Sequence, residues 1–227
     1  MSPPKELIRD PTSDLARALT DHLTGELRDP RMAAELAAAM RQCSLDWTAP
    51  TVAAGDIDTI VAFTFGNRLH ANGNRSPGPV NQQLADLTLQ LHEATNARVF
   101  AQWEVADAIG TRMPQASLVA INPIRDDRGE PVYLSTAGVL DAIALLADPP
   151  SLGTVGVIAF ADHLFRCVAN ARQAGFTAAA PAGLAMPDHY DALSGQPWCR
   201  DRLAYLLHDI MIRVTERRAE TLARDAG

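Results

Sequence analysis

The stretch VGVIAFADHLFRCVANARQAGF, residues 155–176, decides the fold. Its first part is a continuous apolar run with several valine and isoleucine residues, which predicts a strand buried on both faces. The remainder predicts a helix that begins at the polar residues Asp162 and His163 and ends at Gly175. A strand that passes directly into a helix is the repeating unit of a parallel α/β sheet.

The same alternation extends in both directions from this stretch. Further strands are predicted at DTIVAFTFG (58–66), ARVFAQWE (97–104), ASLVAINPI (116–124) and TAAAPAG (177–183). Helices are predicted at VNQQLADLTLQLHEA (80–94), VADAIGTRM (105–113) and STAGVLDAIALLAD (135–148), and a long final helix at 198–224 has an apolar side predicted from Leu203, Leu206, Leu207 and Ile210. This order predicts an α/β fold with a mainly parallel sheet and helices on both faces.

The segment before the first long strand is predicted to be helical. Residues 12–45 contain two helical patterns, and the second begins after Asp29 with Pro30 in its first turn. We therefore divide the chain into an N-terminal helical extension, residues 1–50, and an α/β domain, residues 51–227.

Composition excludes several classes of protein. The chain has 227 residues and a net charge of −7, so it lacks the basic surface of a nucleic-acid-binding protein. No apolar run is long enough to span a membrane, and the N-terminus has no signal-peptide core. Three widely spaced cysteines predict neither a disulfide framework nor a zinc site. We expect a cytoplasmic protein without a membrane or nucleic-acid partner.

Polar residues concentrate where the predicted strands end. Ligands of open parallel sheets bind beyond the carboxyl ends of the strands, so these residues are the predicted site. The predicted ligand-binding residues are Gly66, Asn67, Arg68, Arg75, Trp103, Glu130, Ser135, Thr136, Asp162 and Arg166, and the predicted catalytic residues are His163 and Glu104. No metal site is predicted.

His163 and Arg166 form the strongest motif. A spacing of three residues places both on one face of a first helical turn, where the backbone N–H groups attract an anion and a guanidinium adds a bidentate partner. Structural alternatives stay open for several residues. Arg166 pairs with a carboxylate such as Glu104 in one of them, and Ser135 or Thr136 caps a helix in another.

The familiar nucleotide and hydrolase motifs are absent from the sequence. The segment NRLHANGNRSPGP, residues 67–79, is predicted to be a loop and matches neither GxGxxG nor GxxxxGK[ST]. No GxSxG or HExxH motif occurs in the chain. The sequence therefore leaves it open whether the protein is an enzyme.

The chain resembles the DUF218 family, the YdcF/SanA/ElyC-like proteins, over residues 58–215. VIAFADHLFRCVANARQAGF is similar to the family's closing motif, with His163 and Arg166 at the matching positions. GEPVYLSTAGVLDAI, with Glu130, Ser135 and Thr136, is similar to its middle motif, and FAQWEVADAI supplies a matching Glu104. The resemblance implies a Rossmann-like three-layer fold and S-adenosylmethionine as the candidate cofactor.

Three functions follow as hypotheses. The first is a small-molecule enzyme or binding protein with a nucleotide-like anionic ligand, S-adenosylmethionine being the candidate. The second is a phosphate-ester hydrolase or transferase that uses Arg68, Arg75 and Arg166. The third is a non-catalytic regulatory protein in which the Ala-rich stretch RMAAELAAAM, residues 31–40, and the final helix form a homodimer face.

Overall fold

The computed structural model describes residues 11–123, 127, 132 and 134–225. In chain order the elements are α1 (Pro11–Leu27), α2 (Pro30–Met40), β1 (Thr51–Val52), β2 (Thr59–Ala62), β3 (Arg68–Leu69), β4 (Arg75–Ser76), α3 (Pro79–Thr95), β5 (Arg98–Gln102), α4 (Trp103–Ile109), β6 (Leu118–Ile121), α5 (Thr136–Leu146), β7 (Thr154–Ile158), α6 (Ala161–Gln173), β8 (Thr177–Pro181) and α7 (Arg202–Asp225).

The central sheet has six parallel strands in the order β1-β8-β7-β2-β5-β6. From β2 the chain builds outward through β5 to β6, and then crosses to β7 on the other side of β2. The strand order therefore reverses beside β2, and such a reversal opens a crevice at the carboxyl ends of the strands. This confirms the predicted α/β, Rossmann-like three-layer architecture.

Strand β2 explains why the predicted strands are continuously apolar. All its residues are buried, because successive side chains point to opposite faces of the sheet and a helical layer covers each face. Ile60 and Ala62 pack in the same cluster as Leu84 of α3. Val61 packs in the other cluster, with Leu140 of α5. Neither face of the central strand contacts water.

The start of α2 follows the sequence prediction. Asp29 is the N-cap, its carboxylate accepts a hydrogen bond of 3.0 Å from the backbone N–H of Met32, and Pro30 opens the first turn. Proline fits there because its missing N–H would have no partner within the helix in any case. Local chemistry thus sets this boundary.

The predicted apolar side of the final helix is wrong. Leu203 and Leu207 of α7 are 65% and 55% exposed, whereas Tyr205 and Asp209 are buried. The buried face follows Tyr205 and Asp209, which lie four residues apart on one side of the helix. The prediction was wrong because it placed the leucines on the buried side of the helix. That side is occupied by Tyr205 and Asp209, which are hydrogen-bonded to each other.

The predicted loop at residues 67–79 contains a short hairpin. Strands β3 and β4 pair antiparallel, with Arg68 opposite Ser76 and Leu69 opposite Arg75. Strands of two residues leave almost no periodicity in a sequence, so no pattern could have revealed them.

The chain divides into two compact units, one of residues 48–209 and one of residues 1–47 with 210–227. The first contains the sheet. In the second, Arg213 donates a hydrogen bond of 2.7 Å to the carbonyl oxygen of Asp46, and its guanidinium lies 4.1 Å from the centre of the Trp47 ring. The division of the chain at residue 50 stays a prediction.

Within the described part of the chain, none of the helices is both long and apolar enough to cross a bilayer.

Two leucines of the residue 48–209 unit distinguish true from apparent core positions. Leu84 is fully buried, so Leu84→Ala is expected to cost about 2–5 kcal/mol of unfolding free energy. Leu203 is 65% exposed, so Leu203→Ala is expected to change stability by about 0.5 kcal/mol or less. Urea denaturation measures both. Equal losses for the two variants would contradict the exposed position of Leu203.

Candidate functional site

A cleft of about 370 Å³ opens at the carboxyl ends of β2, β5 and β6. This volume lies in the usual range of small-molecule sites. The residues in its wall come from the β3–β4 hairpin and the residue before it, the end of β5, the start of α4, the segment after β6 and the segment after β8. They are Asn67, Arg75, Gln102, Trp103, Glu104, Pro123, Val132, Leu134, Gly195, Gln196, Pro197 and Trp198.

Glu104 is the acidic residue of this cleft. It lies in the first turn of α4 and is only 2% exposed. Its Oε1 atom accepts a long hydrogen bond of 3.4 Å from Nδ2 of Asn67, and no described residue places a hydrogen-bond partner on its Oε2 atom. Burial raises the pKa of Glu104 to about 7, although its own backbone N–H and the side chains of Asn67 and Thr64 oppose the shift. The carboxyl group therefore changes charge near neutral pH.

Asn67 links three parts of the cleft wall. Its Oδ1 atom accepts a hydrogen bond of 3.0 Å from NH1 of Arg75, which leaves the Nδ2 group facing Glu104. Its carbonyl oxygen accepts a hydrogen bond of 2.6 Å from the N–H of Gly195. The hairpin returns Arg75 to this position, so the hairpin fixes which end of the Asn67 amide meets the carboxyl group.

The turn before Asn67 requires glycine. Gly66 has a φ of +69°, a conformation that other residues adopt at a cost, and a Cβ atom there would collide with Oγ of Ser194. Asn81 of α3 holds this turn through a hydrogen bond of 2.8 Å from Nδ2 to the Gly66 carbonyl oxygen and another of 2.9 Å from the Phe65 N–H to its Oδ1. The conformation of this turn therefore explains the glycine at position 66, which the sequence analysis predicted to bind the ligand.

Two tryptophans contribute to the wall of the cleft, and both are half-buried. Trp103 precedes Glu104 in α4, and Trp198 lies in the segment between β8 and α7. The Trp198 ring stacks on His208, with ring centres 5.0 Å apart and planes 17° from parallel. The stacking restricts the movement of the Trp198 ring.

A second polar group is buried beside the sheet, around Arg166 of α6. Its Nε atom donates a hydrogen bond of 2.5 Å to Oδ1 of Asp209, and its NH1 group donates one of 3.0 Å to Oγ1 of Thr136. Its NH2 group lies 3.5 Å from the Tyr205 hydroxyl, and Nε2 of His163 lies 3.5 Å from the same Thr136 oxygen. All five residues are buried. We name this group the Arg166 network.

The structure separates the predicted site residues into groups. Asn67, Arg75, Trp103 and Glu104 meet in the cleft, with Gly66 next to it. Thr136, His163 and Arg166 belong to the Arg166 network instead, and the partner of Arg166 is Asp209, not the alternative Glu104.

The remaining predicted residues have partners of their own. Ser135 caps α5, since its Oγ accepts a hydrogen bond of 3.1 Å from the Gly138 N–H. Arg68 forms an ion pair of 2.9 Å with Asp191. Asp162 accepts hydrogen bonds from Tyr190 and Arg202. Glu130 lies outside the described residues. The ligand contacts of all four stay predictions.

Sequence reasoning missed the segment between β8 and α7. Gln196, Pro197 and Trp198 all contribute to the cleft wall, yet they follow the last predicted strand without a recognisable motif. The sequence GQPWC, residues 195–199, offered one signal, because a tryptophan in a polar, proline-containing segment of a small α/β protein lies outside the regular core pattern.

No group of three His, Cys, Asp or Glu side chains that could hold a metal ion occurs in the described part of the chain. Among its described residues the cleft carries one carboxyl group, one guanidinium, amides and aromatic rings, which suit an organic molecule.

Comparison with known proteins gives no relatives for this arrangement. No protein-family model matches the chain, and no curated protein and no solved structure matches it.

The protonation of Glu104 predicts a specific pH dependence of stability. The folded protein holds the proton more tightly than the unfolded chain, because the pKa rises from 4.5 to about 7 on folding. The contribution of Glu104 to the free energy of unfolding is therefore greatest below pH 4.5. This contribution falls by about 3 kcal/mol as the pH rises to 7.

Urea denaturation between pH 4.5 and 8 measures this effect as the difference between the wild type and Glu104→Gln, which has no such proton to lose. Glu93→Gln, an exposed change on α3, serves as the matched control and is expected to follow the wild type. A Glu104→Gln variant with the same pH slope as the wild type would contradict the shifted pKa.

The Arg166 network predicts a stability effect with a characteristic rescue. Arg166→Met leaves the Asp209 carboxylate buried without its guanidinium, and the expected loss is about 3–5 kcal/mol. Adding Asp209→Leu removes the second charge, so the double variant is expected to regain most of that loss in urea denaturation. A double variant no more stable than Arg166→Met would show that the charge is not the cause.

Proposed function

We propose that the protein binds a small nucleoside-like molecule in the cleft at the carboxyl ends of the strands, with S-adenosylmethionine as the candidate ligand. The observation that carries the proposal is Glu104. A buried carboxyl group with an Oε2 atom that no described residue satisfies, in the wall of a cleft of about 370 Å³, calls for a hydrogen-bond donor from a bound molecule. A ribose hydroxyl or an amine supplies such a donor.

The other cleft residues suit the remaining parts of such a ligand. An adenine ring stacks on an indole, and the cleft offers Trp103 and Trp198. S-adenosylmethionine also contains a carboxylate, for which Arg75 is the cation among the described residues of the cleft wall. The sequence predicts Arg166 as the partner of an anionic group, but Arg166 donates hydrogen bonds to Asp209 and Thr136 in the Arg166 network.

Two general arguments support the same ligand class. In doubly wound sheets an acidic residue downstream of the first strand accepts hydrogen bonds from a ribose, and Glu104 directly follows β5, the strand beside β2. Membership of the DUF218 family remains part of this proposal, because the resemblance rests on motifs and implies S-adenosylmethionine. The proposal concerns binding, and it leaves the reaction, if there is one, open.

The phosphate-ester alternative has less support. It requires three arginines around one phosphate, but Arg68 pairs with Asp191 and Arg166 with Asp209, so only Arg75 of the three faces the cleft. The carboxyl group of Glu104 would also repel a phosphate when ionised.

The dimer hypothesis stays a hypothesis, and the alanines of α2 do not argue for it by themselves. Ala33 and Ala37 are buried within the chain, whereas Met32, Leu36 and Met40 of the same helix are exposed. Close packing of helices is the usual role of such stripes.

Titration calorimetry with S-adenosylmethionine tests the proposal. Removing a stacking ring costs about 1–3 kcal/mol per base, so Trp103→Ala is expected to weaken binding about tenfold or more. Asn67→Ala is expected to weaken it as well, because Asn67 orients Glu104.

Trp47→Phe is the matched control, since Trp47 lies outside the residue 48–209 unit, and it is expected to bind as the wild type does. Absence of binding to the wild type, or equal affinities for Trp103→Ala and Trp47→Phe, would reject S-adenosylmethionine as the ligand of this cleft.

A further inference from the structure

We propose that the ligand of the cleft carries an alkylated organic cation, a sulfonium or a quaternary ammonium ion, held against Trp103 and Trp198 and neutralised by Glu104. The inference rests on the proposed function and narrows it to one charge class.

The first argument is the balance of charge in the cleft wall. Glu104 and Arg75 are its two charged residues among the described lining. Glu104 is 2% exposed, whereas Arg75 is an exposed residue whose NH1 group is engaged with Asn67. The negative charge therefore lies in the low-dielectric part of the site and the positive charge at its rim. A cation entering the cleft gains more from Glu104 than it loses to Arg75.

The second argument is the pair of indoles. The electron-rich face of tryptophan attracts cations more strongly than that of tyrosine or phenylalanine, and the attraction grows when water is excluded. Pro123, Val132 and Leu134 line the same cleft and contribute apolar surface. Apolar walls disfavour strongly hydrated ions and leave alkylated cations, such as a sulfonium or a methylated ammonium, at an advantage.

The third argument concerns the groups that face Glu104 from the surrounding elements. From the hairpin side, Asn67 donates to Oε1 and carries the contact with Arg75. On α4, the negative charge of Asp107 raises the pKa of Glu104 further. In the segment after β8, burial raises the pKa of the Cys199 thiol to about 12, so this neighbour is neutral. None of these groups supplies a counter-charge in contact with the carboxylate.

A proton leaves when the cation binds. Near neutral pH the empty site holds a mixture of carboxylic acid and carboxylate, because the pKa of Glu104 is about 7. A cation binds the carboxylate, and the proton of the acid form passes to solvent. Affinity for a cation is therefore expected to rise with pH and to level off above pH 7.

The test compares S-adenosylmethionine with S-adenosylhomocysteine by titration calorimetry. Both compounds carry the same primary ammonium group, and they differ by one methyl group and the positive charge on sulfur, so the comparison isolates the alkylated cation. We expect the wild type to bind the sulfonium about tenfold more tightly at pH 8, in line with the size of a cation–π and charge contribution. We expect this preference to disappear in Glu104→Gln and to persist in the control Glu93→Gln.

The pH dependence gives a second readout that a merely structural role of Glu104 would not change. Between pH 8 and pH 6 the affinity of the wild type for S-adenosylmethionine is expected to fall about tenfold, whereas the affinity for S-adenosylhomocysteine stays nearly constant. In Glu104→Gln both affinities are expected to be insensitive to pH over this range.

The outcomes separate this inference from the proposed function. Equal binding of the two compounds by the wild type would overturn the cation inference and leave nucleoside binding intact. If neither compound binds, S-adenosylmethionine is excluded, and tetramethylammonium then decides the charge class. Quenching of tryptophan fluorescence by tetramethylammonium that Glu104→Gln abolishes would support a cation site, and absence of quenching would overturn it.

Discussion

The ion pair between Arg166 and Asp209 determines how the carboxyl edge of the sheet is organised. Both residues are buried, and a buried charge is tolerated only with an opposite charge and further hydrogen bonds. Asp209 supplies the charge, while Thr136 and Tyr205 supply hydroxyl groups. Because these residues belong to α5, α6 and α7, the network fixes the first turns of two helices against the buried face of a third.

This pairing changes the meaning of the most distinctive sequence motif. The spacing of His163 and Arg166 predicts two polar groups side by side on a helix, and the structure places them so. The spacing does not predict the partner of Arg166, which is Asp209, a residue 43 positions later in the chain. An arginine whose charge is already neutralised has little left to offer an anion, so the chemistry of a ligand site shifts to other residues.

Glu104 is the contrasting case of a buried ionisable group. Its hydrogen bond from Asn67 is long, and no described counter-charge contacts it, so its charge is costly without a bound partner. A fold keeps such a group at a cost in stability, and a perturbed carboxyl group in a cleft is typical of functional sites. Arg166 and Glu104 are both buried, and they differ in that Arg166 has an opposite charge in contact whereas Glu104 has none among the described residues.

The sequence predicted the features that depend on local pattern. Continuous apolar runs identified the inner strands, and Asp29 with Pro30 identified a helix start, because burial on two faces and capping both leave a mark within a few residues. The exposed side of α7 and the identity of the Arg166 partner could not be predicted, since Tyr205 and Asp209 are polar residues that become core residues only through contacts distant in sequence. Four of the twelve described residues in the cleft wall were predicted, namely Asn67, Arg75, Trp103 and Glu104. Asn67, Trp103 and Glu104 lie at or just beyond the ends of strands predicted from the sequence, whereas Trp198 lies in an irregular segment whose position depends on contacts such as that of Gly195 with Asn67.

The division between regular and irregular parts also explains how the cleft combines rigidity with selectivity. Glu104 stands on a helix that continues directly from an inner strand, so the position of its carboxyl group follows from the packing of the sheet. The surfaces facing it come from a hairpin whose strands have two residues each and from an irregular segment, where side chains are less constrained by the fold. Changes in those segments alter the shape of the ligand that fits, while the buried carboxyl group continues to set the charge that the ligand must carry.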